Sequence, residues 1–252
     1  KKHSISKVNK ILAITTKKNH VKNKIKSVYS KVTKKLIITD NIENAETAKV
    51  IENIQRDLNI ALMNDIFIFS KKMNLDFKKI LKLASSKWNF LKFYPGLVGG
   101  HCLPVDPYYL NYIAKKNKIK LKTVLAGRKV NNFMEQFIKS MIIKKIKREK
   151  LNNKKIIISG ITYKENVPDI RNSIPLKIFL DLKKKYNHIL AYDYVCEKST
   201  RKKFKILNSY KNIREKIDLV IFLVNHKKNS QFYRFCLKND IKVLDPFQLY
   251  KF

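Results

Sequence analysis

The stretch 96–110, GLVGGHCLPVDPYYL, places a thiol and a carboxylate four residues apart behind a cluster of glycines. The chain has five glycines in 252 residues, at 96, 99, 100, 127 and 160, and three of them fall within five positions. Glycine permits positive φ and lets a ligand approach bare main chain. A thiol just after such a loop, where a helix can start at Asp106–Pro107, is well sited as a nucleophile, because N-terminal peptide dipoles favour negative charge. Pro107 suits the first helical turn and Asp106 suits the N-cap. Asp106 can equally orient a water or accept a proton for chemistry at the thiol, and neither role excludes the other. The bland alternative for Cys102 is a buried, inert cysteine beside a turn. His101 invites a Cys–His dyad, but adjacent side chains usually diverge, which disfavours that pairing.

The other cysteines, Cys196 and Cys236, are widely spaced, and no CxxC or CxxH occurs. A zinc site and a disulfide framework are both poor readings, so no metal is expected and a reduced, cytoplasmic setting fits best. No apolar run approaches the roughly 18 to 20 residues that span a bilayer, which argues against a membrane partner. With 56 Lys+Arg against 19 Asp+Glu the formal charge is +37, a field that attracts polyanions of any kind. The lysines recur from Lys1 to Lys251 as pairs and triples between apolar residues and form no single basic stripe. Compositional drift toward Lys, Asn, Ile, Phe and Tyr explains this better than a nucleic-acid surface, since no aromatic stacking platform is interleaved.

Three regions must position these groups. Residues 1–42 hold a basic amphipathic helix candidate at His20–Lys35, followed by the apolar LIIT from Leu36. Residues 43–152 read as almost entirely helical. Val50, Ile51, Ile54, Leu58, Ala61, Leu62 and Phe67 recur near the 3.6 period of a buried helix, and a second long helix runs from about Val124 to Lys150. The glycine-rich stretch is a loop between the two. From residue 153 the pattern changes to short Ile/Val-rich runs, at 155–160, 188–193, 218–224 and 241–245, separated by segments long enough for helices. That alternation predicts βαβ units and a parallel sheet. The expected class is therefore α/β, a helical central domain followed by a Rossmann-like one.

PGLVGGHCLPVDPYYL closely resembles the active-site segment of the UDP-glucose/GDP-mannose dehydrogenase family, nearest to the branch acting on UDP-N-acetylhexosamines for surface polysaccharides. AETAKVIENIQRDLNIALMND from Ala45, SSKWNFLKFYPG before the cysteine, LAGRKVNNFM after it and GITYKENVPDIRNS from Gly160 are similar to further motifs of that family, in order. The resemblance implies an NAD-dependent, two-step oxidation of a sugar C6 alcohol to the carboxylate. Cys102 becomes the nucleophile that captures the aldehyde and carries the thioester. Lys49 and Asn53, one helical turn apart, become the donors to the oxyanion, and Asp106 the carboxylate that holds water. Phe93, Tyr94, Gly96, Gly99 and Gly100 match the loop that wraps the nucleotide-sugar. Lys87 and Arg128 are expected to meet its pyrophosphate, Lys164 lies on the nucleotide-sugar side, and Arg171 near the cofactor.

No GxGxxG can be written with the five glycines, so the usual NAD fingerprint is absent. The resemblance places that fingerprint in an N-terminal Rossmann domain, of which Lys1–Asn9, with His3, is expected to be the end. The chain is thus expected to be the central and C-terminal parts of such an enzyme, 43–152 and 153–252, with the NAD domain missing or supplied by a separate NAD-binding chain. A homodimer through the long central helix is expected, with a UDP-sugar as substrate. An inactive nucleotide-sugar-binding module and a basic polyanion binder are the alternatives.

Overall fold

The computed structural model describes residues 10–33, 35–211, 213 and 216–249. The segment Lys1–Asn9, expected to end a preceding domain, lies outside the described residues. Two compact units are present, Lys1–Gln55 and Arg56–Phe252.

In the first unit, β1 (Lys10–Ala13) and β2 (Leu36–Thr39) pair in parallel, with Lys10 opposite Leu36 and Ala13 opposite Thr39. Parallel strands need a crossover, and α1 (Asn19–Ser30) supplies it. The apolar runs at Ile11 and Leu36 are therefore the two strands of one βαβ unit. Helix α2 (Ile42–Lys72) begins here, its first turn capped by Asn41 Oδ1, which accepts the Asn44 N–H at 2.6 Å.

The second unit contains the rest of α2, α3 (Phe77–Ala84), α4 (Asp106–Lys116) and α5 (Lys122–Arg148). It continues through β3 (Ile156–Ser159), α6 (Ile174–Lys185), β4 (Ile189–Tyr192), α7 (Lys198–Phe204), β5 (Leu219–Phe222), α8 (Asn229–Lys238) and β6 (Lys242–Leu244). The four strands form one parallel sheet in the order β4-β3-β5-β6, which is the α/β class the alternating pattern predicts. Ile156 and Ile158 face one apolar cluster and Ile157 the other, because successive strand side chains point to opposite faces and both faces are covered. On the first face α5 buries Met134, Ile138, Ile142 and Ile146 completely, four residues apart along a single stripe. Burying each such side chain contributes about 1.5–3 kcal/mol.

Helix α2 departs from its expected stripe. Ile51 and Leu62 are 54% exposed, whereas the polar Asn53, Asp57 and Asn64 are buried. Apolar periodicity alone cannot reveal a buried polar face such as that of Asp57 and Asn64, whose hydrogen-bond partners include Arg128 and Asn131 on another helix. The start of α4 is also corrected. Asp106 is its first helical residue and the N-cap is Val105, with no side-chain cap. A turn at Cys102 feeds the helix directly, since the Cys102 carbonyl accepts the N–H groups of Val105 (3.0 Å) and Asp106 (2.8 Å).

Candidate active site around Cys102

Of the three cysteines, Cys102 alone is exposed. Cys196 and Cys236 are buried, and burial pushes both thiols up, Cys236 to about 12. The buried-cysteine alternative for Cys102 is therefore wrong. Its loop is held at two places. Gly96 is clamped by the Asn64 side chain, whose Oδ1 accepts the Gly96 N–H (2.9 Å) while Nδ2 donates to the Gly96 carbonyl (3.1 Å). Farther along, Asn172 Nδ2 donates to the Gly100 carbonyl at 3.1 Å. The Asn172 carbonyl abuts Gly99 so closely that a Cβ there would collide with it. The Tyr163 ring lies over Gly100, the one residue of the three glycines with positive φ, +88°. The glycines thus serve close approach at two positions and left-handed backbone at one.

Asn172 and Tyr163 belong to the segment leaving β3, which carries the expected site residues Lys164 and Arg171. The chain steps from β3 to β4 and returns to β5 on the other side, so the carboxyl ends of β3 and β5 flank the reversal where open α/β sheets bind ligands. Gly160 turns there with φ +87°, because a Cβ would stand 2.7 Å from Val224 Cβ. Asp193, at the end of β4, fixes the following turn. Its Oδ2 accepts the N–H groups of Ile161 (2.8 Å) and Thr162 (3.2 Å), and its Oδ1 that of Val195 (2.9 Å). His226 Nδ1 accepts the Asn166 N–H at 2.9 Å, which places the ring proton on Nε2, 3.1 Å from Asp193 Oδ2. Burial pushes the Asp193 carboxyl up, but His226 and the backbone donors outweigh it and hold the group below its ordinary value. Ser173 closes the segment by donating to the Ile161 carbonyl (2.6 Å) and capping α6.

The remaining expected residues fall in several places. Arg128 is only 3% exposed and does not face solvent as a pyrophosphate contact would. Its Nη1 donates to Asp57 Oδ1 at 2.6 Å and its Nη2 to Asn132 Oδ1 at 2.5 Å. Burial raises the Asp57 carboxyl above its ordinary value, although Arg128 and Asn131 both pull it down. Lys164 and Arg171 are exposed, and Arg171 is paired with Asp169 through Nε (3.0 Å) and Nη2 (2.6 Å). Lys87 is exposed in the turn after α3. Lys49 lies on the exposed side of α2, its Nζ 2.9 Å from Glu52, whereas Asn53 one turn on is buried. Phe93 packs against the main apolar cluster. Tyr94 borders a cavity of about 820 Å³ whose other walls include Phe77, Lys82, Lys92, Glu165 and Phe247. Lys92 Nζ stands 5.8 Å from the Tyr94 ring centroid. An aromatic and cationic lining of this kind suits a flat base joined to phosphate. Asn64, Asn131, Tyr163, Asn172, Asp193 and His226 were not legible as site residues, since single polar residues in an Asn-rich chain carry no spacing signal.

Among the described residues no group of three or more His, Cys, Asp or Glu is arranged to hold a metal, and no helix is long and apolar enough to cross a membrane. Two family models match the chain. The central domain of the UDP-glucose/GDP-mannose dehydrogenase family covers residues 43–133, and its UDP binding domain covers residues 157–247. Protein CapL of Staphylococcus aureus is 41% identical over 207 residues, which is 81% of this chain and 49% of CapL. The UDP-N-acetyl-D-glucosamine 6-dehydrogenase of Salmonella typhi is 36% identical over 235 residues, 92% of this chain and 55% of that enzyme. The solved structure of a UDP-D-ManNAc dehydrogenase from Pyrococcus horikoshii superposes with a TM-score of 0.82 at 22% identity, over 98% of this chain and 58% of that one, a likeness of fold. The chain spans about half the length of the curated relatives it matches. With both domain models in order along the chain, and with the exposed thiol on its glycine loop inside the central-domain match, the chain belongs to the UDP-glucose/GDP-mannose dehydrogenase family.

Proposed function

We propose that this chain is the sugar-handling part of a nucleotide-sugar 6-dehydrogenase whose substrate is a UDP-N-acetylhexosamine. The observation that carries the reading is Cys102, exposed on a loop that the UDP binding domain itself holds through Asn172 and Tyr163. In this reading residues 43–152 form the catalytic domain and 153–252 the nucleotide-sugar domain, and the long α5 is the seat of a homodimer. The UDP group occupies the cavity lined by Tyr94 and Lys92, and Lys164 and Lys87 are assigned to its charges. The Cys102 thiolate adds to the C6 aldehyde carbon, and the carbonyl oxygen becomes an oxyanion, for which the family resemblance alone nominates Lys49 and Asn53 as donors. The adduct is a thiohemiacetal, and Asp106 holds a water beside its sulfur-bound carbon. In this reading Arg128 acts from within, through its hydrogen bonds to Asp57 and Asn132.

NAD accepts hydride in this family, and the residues described here do not fit it. The β1–α1 turn, where a dinucleotide pyrophosphate would rest on bare backbone, runs from Ile14 to Lys18 without a glycine. The chemistry assigned to this chain is accordingly limited to the sugar, the thiol and water. In a second reading, the residues described here bind and present UDP-sugars without turnover, through the region that matches the UDP binding domain.

Calorimetric titration with UDP, UDP-N-acetylglucosamine and UDP-N-acetylmannosamine tests the substrate class. Binding is expected for all three, with UDP-N-acetylhexosamine protecting Cys102 from iodoacetamide. A folded chain that binds no UDP compound refutes both readings. NADH formation when a separately produced NAD-binding domain is added, lost in Cys102→Ser, separates the first reading from the second.

A further inference from the structure

The segment that carries Cys102 is tied down on both sides by one buried cation. Upstream, Asn64 grips the N–H and the carbonyl of Gly96, and its Nδ2 also donates to Asn131 Oδ1 at 2.8 Å. Asn131 Nδ2 donates to the Asp57 carboxylate (2.7 Å) and to its carbonyl (3.0 Å), and Arg128 Nη1 meets the same carboxylate oxygen. Downstream, Arg128 Nη2 donates to Asn132 Oδ1, and Asn132 Nδ2 donates to the Tyr108 hydroxyl on α4 at 3.2 Å. Gly96 and Tyr108 lie six residues before and six residues after Cys102. The orientation of each amide is dictated by its neighbours. Gly96 presents both a donor and an acceptor to Asn64, and Asp57 presents only acceptors to Asn131.

Asn64, Asp57, Arg128 and Asn131 are all buried, at 0%, 1%, 3% and 4% exposure. A buried ion pair stabilises a fold no better than apolar side chains of similar volume, so stability alone does not account for this one. What a guanidinium adds is fixed geometry: a planar fork that bonds two partners in set directions. We propose that Arg128 is a positioning residue for Cys102, setting the Gly96 side of the loop through Asp57, Asn131 and Asn64, and the α4 side through Asn132 and Tyr108. The position of the thiol then depends on the network, because the Cys102 carbonyl is itself fixed to the start of α4 by the amides of Val105 and Asp106. This replaces the pyrophosphate contact expected of Arg128, and it deepens the reading of Cys102 as nucleophile, on which it rests.

The test reads the thiol directly, without UDP-sugar or NAD, so it can fail while UDP-sugar binding stands, and the reverse. In the full chain, Cys102 is alkylated with iodoacetamide and followed by peptide mass spectrometry, with buried Cys196 and Cys236 reporting any global opening. Hydrogen exchange of residues 96–108 is measured alongside. Arg128→Lys and Asn64→Ala are expected to change the Cys102 alkylation rate by about fivefold or more and to speed exchange in the loop, with Cys196 and Cys236 still protected. Tyr108→Phe cuts only the α4 arm at an exposed site and is expected to give a smaller change in the same direction. A residue that merely stabilised the fold would shift the unfolding midpoint and leave the native rate at Cys102 as it was. Unchanged alkylation and exchange in folded Arg128→Lys overturn the proposal. If that variant and Asn64→Ala do not fold, Tyr108→Phe and Asn132→Ala decide, and an unchanged Cys102 rate in both overturns it.

Discussion

Replacing the three glycines of the Cys102 loop by alanine, one at a time, presents three different physical situations within five residues. At Gly96 an added Cβ meets nothing within 4 Å, and φ is not positive. Gly96→Ala is therefore expected to be neutral or to stabilise by about 0.4–1 kcal/mol, through the unfolded chain. At Gly99 the Cβ runs into the Asn172 carbonyl, main chain that cannot rotate aside, and stands 3.2 Å from Tyr163 Cβ. Overpacking of this kind costs about 1–3 kcal/mol. At Gly100 the backbone is left-handed at φ +88°, which costs an L-residue about 1–2 kcal/mol. The Tyr163 ring adds to this, with atoms 2.7 and 2.8 Å from the new Cβ, but a ring can swing away. A Tyr163→Ala background should therefore recover part of the Gly100→Ala loss and none of the carbonyl collision at Gly99. Urea unfolding of the six variants (three single glycine changes, Tyr163→Ala, and its two combinations) and the parent gives the free energies from midpoints and slopes. Equal losses for Gly96→Ala and Gly100→Ala, or equal rescue of Gly99→Ala and Gly100→Ala by Tyr163→Ala, would refute the reasoning.

Asp193 gives a pH prediction. Its folded-state value lies below the ordinary one, so its contribution is complete above the unfolded value of about 4 and is lost as pH falls through the folded one. Asp193→Asn should flatten the acid limb of stability against pH and cost about 1–3 kcal/mol at neutral pH, since an amide cannot accept all the donors the carboxylate serves. An acid limb as steep as the parent's, by chemical denaturation from pH 3 to 7, would contradict this. Tyr94→Ala should weaken UDP binding by about tenfold or more, by loss of a stacking surface in the cavity, with the thermal midpoint held because the ring is exposed. Calorimetry on the folded variant checks it, and unchanged affinity would place the nucleotide elsewhere.

The parallel sheet was legible because its central strands, β3 and β5, are continuous apolar runs buried on both faces, a pattern that depends only on neighbours along the chain. Helix α5 was legible for a similar reason, as a long helix expected from about Val124 to Lys150 and found at Lys122–Arg148. Helix α2 was legible as a helix and in part of its burial, since Ile54, Ala61 and Phe67 are buried, but not in its polar face. Asp57 and Asn64 are buried because Arg128 and Asn131, about 70 residues away in sequence, answer their hydrogen-bonding groups, and no local period encodes such a partner. The βαβ unit of residues 10–39 was read only as a helix followed by an apolar run, because a single pair of strands gives no repeated alternation of the kind that marks residues 153–252.

At the site, the order of chemical groups is a property of the sequence alone: glycines, then a thiol, then a carboxylate one turn on, flanked by motifs that mark the family. Which cysteine meets solvent, which glycine needs positive φ, and whether Arg128 points outward or inward were decided only by the tertiary structure. Each of those depends on atoms brought together from distant segments. Tyr163 and Asn172 come from the far end of β3, and Asp57 from another helix. A local pattern specifies which groups are present, whereas burial and hydrogen-bond partnership between remote segments specify where each one points and what it can reach.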